Sequence, residues 1–354
     1  MNKESAPATG IILMNLGSPD STEVKDVRSY LNEFLMDKRV IDYPYLLRVL
    51  LVKGIITRFR APRSAEAYKS VWTPEGSPLI VLTRQLQAAL QSETPLPIEI
   101  GMRYGNPSPK AAFDKLQKNF PGLKEVLLVP LYPHYAMSSY ETAVEYGKEI
   151  YEKGTYSFKF SVINTFYTNE AYIHALSQSI APHLAEEYDL LLFSYHGIPE
   201  RHVRKTDPTK KHCLKIEDCC NVDSVAHEFC YRHQVFMTSS LVAAELQLPK
   251  NKFSTSFQSR LGRDEWLKPY TAARLKELPK EGIKKIVVVC PAFVSDCLET
   301  LEEMGEEGKE FFMEAGGESF KLIPCLNTAP LWIKAMNSLI AEHLQKSEIN
   351  VPVS

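Results

Sequence analysis

A histidine that follows an apolar strand and a glutamate at the head of an acidic helix are the residues here best suited to moving protons and a metal ion. His196 comes after Asp189-Leu190-Leu191-Leu192-Phe193-Ser194-Tyr195 and leads into Gly197-Ile198-Pro199. A neutral imidazole near pH 7 is a base, and a carboxylate facing it can hold a cation or pass the proton on. Glu299 follows the apolar run Ile286 to Cys290 by way of Pro291-Ala292-Phe293-Val294-Ser295-Asp296. Its helix also carries Glu302, Glu303, Glu306, Glu307 and Glu310. At α-helical spacing Glu299, Glu303, Glu306 and Glu310 share one face, which is either a solvated surface or a track leading cations inward. Each signal is ordinary alone: a single histidine after a strand is more often a turn residue, and a glutamate in a first turn suits the helix dipole.

Four of the seven cysteines, Cys213, Cys219, Cys220 and Cys230, fall within one short segment. Four such thiols can supply every ligand of a [2Fe-2S] cluster. They can also form a zinc site with His212, His227 or His233, or remain free thiols in a tolerant insertion. Spacing leaves the three open. No GxGxxG or Walker-type loop opens either half, so nothing supports a nucleotide cofactor. Ser194 lacks the elbow of a serine nucleophile.

The elements that must position these groups alternate. Short apolar runs ending in Gly or Pro are followed by amphipathic stretches, the pattern of strands alternating with helices. Strands are expected at Gly10 to Leu16, Ile98 to Arg103, Val126 to Pro130 and Lys159 to Thr165. The pattern restarts at Asp189 to Ser194 and continues at Phe253 to Gln258, Ile286 to Cys290 and Phe320 to Ile323. A long helix is expected from Asn169 to Glu187 and a last one from Pro330 to Gln345. Both halves open with an apolar strand running into a Gly and Pro turn. The fold class is therefore α/β, two similar units with mostly parallel sheets covered on both faces. The expected divisions are 10–175, 176–327 with the His196 and Glu299 pair, and a helix at 328–346 returning to the first domain. The first nine and last eight residues read as loose ends.

A chain of 354 residues favours two domains over one core. Its net charge of -2 argues against a nucleic-acid partner. No apolar run reaches transmembrane length, and MNKESAPATG lacks the pattern of a signal peptide, so a cytoplasmic protein is expected. The stretch from Tyr43 to Ile56 is unusually apolar and reads first as core.

The motifs resemble those of the ferrochelatase family. The segment Phe193-Ser194-Tyr195-His196-Gly197-Ile198-Pro199, with Asp207-Pro208 after it, is similar to the signature around that family's catalytic histidine. Phe257-Gln258-Ser259-Arg260-Leu261-Gly262 and Trp266-Leu267-Lys268-Pro269-Tyr270-Thr271 resemble a second block. Cys290-Pro291-Ala292-Phe293 through Asp296-Cys297-Leu298-Glu299-Thr300-Leu301-Glu302-Glu303 resembles a third. Asn15-Leu16-Gly17-Ser18-Pro19, Ser77-Pro78 and Arg103-Tyr104-Gly105-Asn106-Pro107 add to the match, which runs in order from about Gly10 to Leu344.

The resemblance implies two Rossmann-like, chelatase-like domains with a porphyrin cleft between them. It implies ferrous iron and protoporphyrin IX as substrates, His196 and Glu299 as the catalytic pair at the metal, and Glu303 as a secondary metal residue. Porphyrin contacts fall on Leu16, Arg60, Tyr68, Ser77, Arg103, Tyr135, Trp266 and Phe293. Coproporphyrin-using relatives tend to carry Tyr where this chain has Leu16, which favours protoporphyrin. An internal [2Fe-2S] cluster on the four cysteines is implied as well, since some members carry one. The apolar stretch before Arg60 becomes the mouth of the cleft, facing a membrane surface or a partner that hands over porphyrin. The alternatives are a coproporphyrin or cobalt chelatase of the same fold and a haem carrier without chemistry.

Overall fold

The structure, a computed structural model, describes residues 8–260, 262 and 264–349. Of the expected loose ends, Thr9 already belongs to the first strand and the last helix runs on to Ile349. Residues 1–7 and 350–354 lie outside the described residues, as do Leu261 and Arg263.

Among the described residues, eight strands form two four-stranded sheets, every pairing within them parallel. The first has β1 (Thr9–Ser18), β2 (Ile98–Gly105), β3 (Glu125–Pro130) and β4 (Lys159–Val162) in the order β2-β1-β3-β4. The second has β5 (Leu190–His196), β6 (Phe253–Gln258), β7 (Lys285–Val289) and β8 (Ser319–Leu322) in the order β6-β5-β7-β8. The two orders are the same when read from each sheet's own first strand. The expected class, two Rossmann-like α/β units, is thus what the chain adopts. Parallel sheets bury both faces, which is why β1 and β5 read as unbroken apolar runs. Ile11 to Met14 and Leu191 to Phe193 are almost wholly excluded from solvent.

The chain divides into two compact units. Of the described residues, one comprises 8–131, 138–164 and 333–349; the other comprises 132–137 and those within 165–332. The helix Glu170–Ile180, which the expected boundary at 175/176 divides, lies in the second unit, where Tyr172 donates to Pro291 O at 3.1 Å. It also stops short of Glu187. Pro182 cannot continue the α-helical ladder, and a tighter turn, Ala181–Leu184, follows. In the first unit, Asn337 of the last helix donates to Glu93 at 2.8 Å.

The second unit's core sets the acidic helix. Leu190, Leu192, Ile286 and Val288 of the sheet pack with Leu275, Leu278, Met304 and Phe312. Met304 lies in the helix Glu299–Gly308 and Phe312 in Lys309–Glu314, so burial of these two holds the whole acidic stretch against the sheet. Truncating such a buried side chain to alanine costs about 2–5 kcal/mol.

Candidate active site

His196 is the last residue of β5 and is half-buried. In register it lies opposite Gln258, the last residue of β6. Its ring centroid is 6.4 Å from both Trp266 and Phe293, and its Nδ1 lies 2.6 Å from Gly197 O. Trp266 is held by strand-like pairing with Pro199, while Leu267 N–H donates to Ile198 O at 3.1 Å. Gly197 N–H donates to Gln258 O at 2.8 Å. A Cβ at 197 would stand 2.7 Å from that carbonyl, so only glycine lets β6 approach this closely.

Gln258 joins the histidine strand to the acidic helix. Its buried amide accepts from Ser194 Oγ at 2.8 Å and donates from Nε2 to Glu299 O at 3.1 Å. Glu299 is placed from its other side by the loop before it. Asp296 accepts from Thr300 Oγ1 at 3.0 Å, Asn327 Nδ2 at 2.7 Å and Cys325 N at 3.2 Å. Burial first, and then the charge of the nearby Glu299 carboxylate, push the Cys297 thiol's pKa well above its ordinary value. His196 and Glu299 therefore belong to one hydrogen-bonded frame within the second unit.

The helix that starts at Glu299 is a wide-turn π-helix over Glu299–Gly308, not the α-helix assumed from the pattern. Its i→i+5 bonding changes which carboxylates are neighbours. Glu303 lies under the influence of Glu299 and Glu307, so the inner row differs from the expected Glu299, Glu303, Glu306, Glu310. Glu306 and Glu310 instead line an open depression with Glu302, Glu307, Lys309 and Met313. Burial pushes the Glu303 carboxyl up to about 7, and the charges of Glu299 and Glu307 push the same way. Ser259, at φ 66°, opposes this by donating Oγ to Glu303 Oε2 at 2.6 Å. A carboxyl that titrates near neutrality can both take and release a proton at working pH. The sequence reading gave no role to Gln258, Ser259 or Cys297. The visible signal was position: Gln258 and Ser259 close the strand beside the one carrying His196.

Other expected contacts divide by unit. In the second, Tyr135 is half-buried, its N–H donating to Gln234 Oε1 at 2.7 Å and its ring 5.3 Å from that of Phe229. In the first, Leu16 is half-buried between the register pairs Asn15↔Met102 and Gly17↔Tyr104. Tyr68 is buried edge-on to Tyr30 and Trp72. Ser77 is buried at the head of the helix Pro78–Gln91, and Arg60 is exposed on the helix Thr57–Val71. Arg103, also expected as a propionate ligand, is half-buried. Its Nη2 pairs with Asp37, its Nε donates to Thr142 at 2.7 Å, and Tyr104 and Tyr146 flank it at 4.2 and 4.3 Å. Its charge is met inside the unit.

The apolar stretch is not core. Tyr45, Leu46, Leu47, Leu50, Ile55 and Phe59 are exposed, Leu46 at 76% and Phe59 at 79%. The stretch folds as short consecutive helices, Tyr45–Val49 and a second π-helix at Leu50–Ile56, that leave these side chains outward, and Phe59 continues the exposed run on the helix Thr57–Val71. No helix among the described residues is long and apolar enough to cross a membrane.

The four cysteines are all buried and converge. Cys230 lies beside Cys213 and Cys220, and Cys220 beside Cys219. Arg232 Nη1 donates to Cys220 Sγ at 3.2 Å, and Leu214 N–H to Cys219 Sγ at 3.3 Å. Among the described residues no three His, Cys, Asp or Glu side chains close around one point as a single ion requires. The nearby imidazoles serve the backbone: His212 Nε2 and His227 Nε2 bond Cys219 O at 2.7 and 2.9 Å, and His233 Nδ1 bonds Cys220 O at 2.7 Å. The donor set is thus four thiols with cationic and amide N–H groups on the sulfurs, which fits an anionic iron–sulfur cluster better than zinc.

A ferrochelatase family profile matches residues 8–344. Ferrochelatases of Pseudomonas syringae pv. tomato and Pseudomonas fluorescens are 49% and 51% identical over 330 and 331 residues, each match covering 93% of this chain and 96% of the relative. Among solved structures, SirB from Bacillus subtilis with Fe3+ aligns at a TM-score of 0.56 with 12% identity, over 97% of this chain and 98% of that one; this likeness concerns the fold. With near-half identity along almost its whole length, the chain belongs to the ferrochelatase family, which are metal-insertion enzymes.

Proposed function

We propose that the chain inserts Fe²⁺ into protoporphyrin IX, giving protohaem and two protons, the last step of haem synthesis. The observation that supports this most is the frame around Gln258, which links the His196 strand to Glu299, with a near-neutral Glu303 next along. His196 takes a pyrrole proton, a step commonly worth about 10²–10⁴-fold. Glu299 holds the incoming iron, and Glu303 carries protons away from it. Trp266, Phe293 and Tyr135 pack on the macrocycle. Bending the ring exposes its nitrogen lone pairs at about 1–5 kcal/mol of strain.

Anaerobic insertion assays with Fe²⁺ test the reading. Protoporphyrin IX should turn over at least about tenfold faster than coproporphyrin III, a gap of about 1.4 kcal/mol in barrier. The reverse preference, or faster insertion of Co²⁺, would replace the proposed substrates, and no insertion at all would favour a carrier.

Two further features belong to this reading. Cys213, Cys219, Cys220 and Cys230 hold a [2Fe-2S] cluster, which when bound supplies a one-electron centre and a cross-link between four chain positions. Its test is the absorption spectrum with iron and sulfide analysis of anaerobically purified protein. The outward apolar helices, with Lys53 among them and Arg58 at the head of the helix that follows, rest on an anionic membrane surface. Flotation with anionic vesicles should carry the chain, and Phe59→Asp should abolish it.

A further inference from the structure

Cys230 stands between two residues that reach the proposed chemistry. On one side, Phe229 packs edge-on against the ring of Tyr135 at 5.3 Å. On the other, Tyr231 is buried and donates its hydroxyl to His196 O at 2.8 Å. The His196–Gly197 peptide is thereby pinned twice, once by Tyr231 and once by Gln258 O of β6. Gln234, one turn into the helix Tyr231–Glu245, is fully buried with its whole amide engaged. Nε2 donates to His227 O at 3.1 Å and Glu228 O at 2.8 Å, and Oε1 accepts from Tyr135 N–H at 2.7 Å. Gln234 N–H also donates to Cys230 O at 3.1 Å. A buried amide has no water to fall back on, so a shift of residues 227–230 strands these donors and frees the Tyr135 backbone.

We propose that Tyr231 and Gln234 are positioning residues that couple the four-cysteine site to the porphyrin site: ligation at Cys230 and placement of His196 and Tyr135 are one structural event. This rests on the reading that the cysteines bind a cluster. Without it, the Cys230 backbone keeps its bonds to His227 O and Gln234 N–H, but its side chain meets Cys213 and Cys220 only as thiols, and a thiol is a weak hydrogen-bond donor. Metal–sulfur bonds fix the same position and, through its two neighbours, the imidazole strand end and the Tyr135 segment. The division of labour is specific: Tyr231 acts on the His196 backbone and so on turnover, Gln234 on Tyr135 and so on porphyrin affinity.

The test begins with anaerobically purified full-length protein whose iron and sulfide have been measured, compared with the same protein after removal of the cluster by chelator. Amide exchange at 134–136 and 194–198 should become about five- to tenfold faster on removal, the scale of one lost hydrogen bond, with β1 and β3 unchanged. Protoporphyrin IX binding, followed by fluorescence quenching, should weaken by a similar factor. Tyr231→Phe should lower kcat at unchanged porphyrin KM, and Gln234→Leu should raise KM at nearly unchanged kcat. In the double variant, emptying the cysteine site should no longer alter porphyrin binding. A measured cluster whose removal leaves exchange and binding as they were would overturn the coupling alone. Protein that holds neither iron nor sulfide would overturn the cluster reading and the coupling with it.

Discussion

Leu16 and His196 occupy the same place in two sheets of the same strand order. Each stands near the end of its sheet's first strand and is followed by a glycine pressed on the neighbouring strand. A Cβ at Gly17 would lie 1.8 Å from Tyr104 O, and one at Gly197 2.7 Å from Gln258 O. The residue abreast of Leu16 is Arg103, and the one abreast of His196 is Gln258. The backbones match and the electrostatics differ. In the first unit Arg103 is neutralised by Asp37 and braced by Thr142 and two tyrosines. In the second a neutral amide stands beside the imidazole, and carboxylates follow one another along the next helix. A charge given an opposite partner holds a fold together, whereas a carboxyl buried beside others of its sign keeps a proton that it can trade.

Breaking the second member of the comparison should have the largest effect. His196→Ala should lower kcat by about 10²–10⁴-fold, with protoporphyrin quenching little changed; near-normal turnover would remove the imidazole from the mechanism. Next comes the paired charge of the first unit. Asp37→Asn leaves Arg103 buried without its partner and should cost about 3 kcal/mol in denaturant unfolding. Burial works against the charge of Asp37, but hydrogen bonds from Thr142 and the Arg39 N–H and the charge of Arg103 outweigh it, so the carboxyl titrates below its ordinary 3.8. Its stabilisation is therefore present above that value and lost as pH falls through the lower folded one. The wild type should lose this increment in acid, and the variant should have none to lose.

Smaller effects sharpen the contrast. Glu303→Gln should lower kcat by about tenfold or less at neutral pH and remove an activity limb near pH 7, where the wild-type carboxyl titrates. The sign for stability is opposite to that of Asp37. A carboxyl raised from 4.5 to about 7 favours the fold when protonated, so its contribution fades as pH climbs between those values. A stability profile that Glu303→Gln leaves unaltered over that range would place the titration elsewhere. Smallest of all, Arg103→Lys keeps the charge but loses the planar donor geometry that Asp37 and Thr142 share, and should cost about 1 kcal/mol.

Much of the frame could be read from residue order because buried parallel strands leave a strong imprint. Runs such as Ile11 to Met14 and Leu190 to Phe193 have no polar face to confuse the reading. The position of His196 followed from the same logic, one strand ending where apolar residues give way to Gly and Pro. What escaped was set by contacts distant in sequence or by backbone states without a residue code. Asp37 meets Arg103 across 66 positions, and Ser259 reaches Glu303 across 44 from a left-handed conformation usually left to glycine. The wide turn at Glu299–Gly308 differs from an α-helix by a single step in its bonding, and no side-chain pattern announces it. The apolar run before Arg60 misled because hydropathy records what a side chain prefers, not whether the chain grants it.

Gly197 also shows how little material sets the alignment of the whole apparatus. A single methyl group there would collide with the Gln258 carbonyl, and the displaced glutamine would pull on Glu299 through its amide. No ionisable group would have been touched, yet acid and base would drift out of step, so mutational tolerance at this one carbon gauges how tightly the two are machined together.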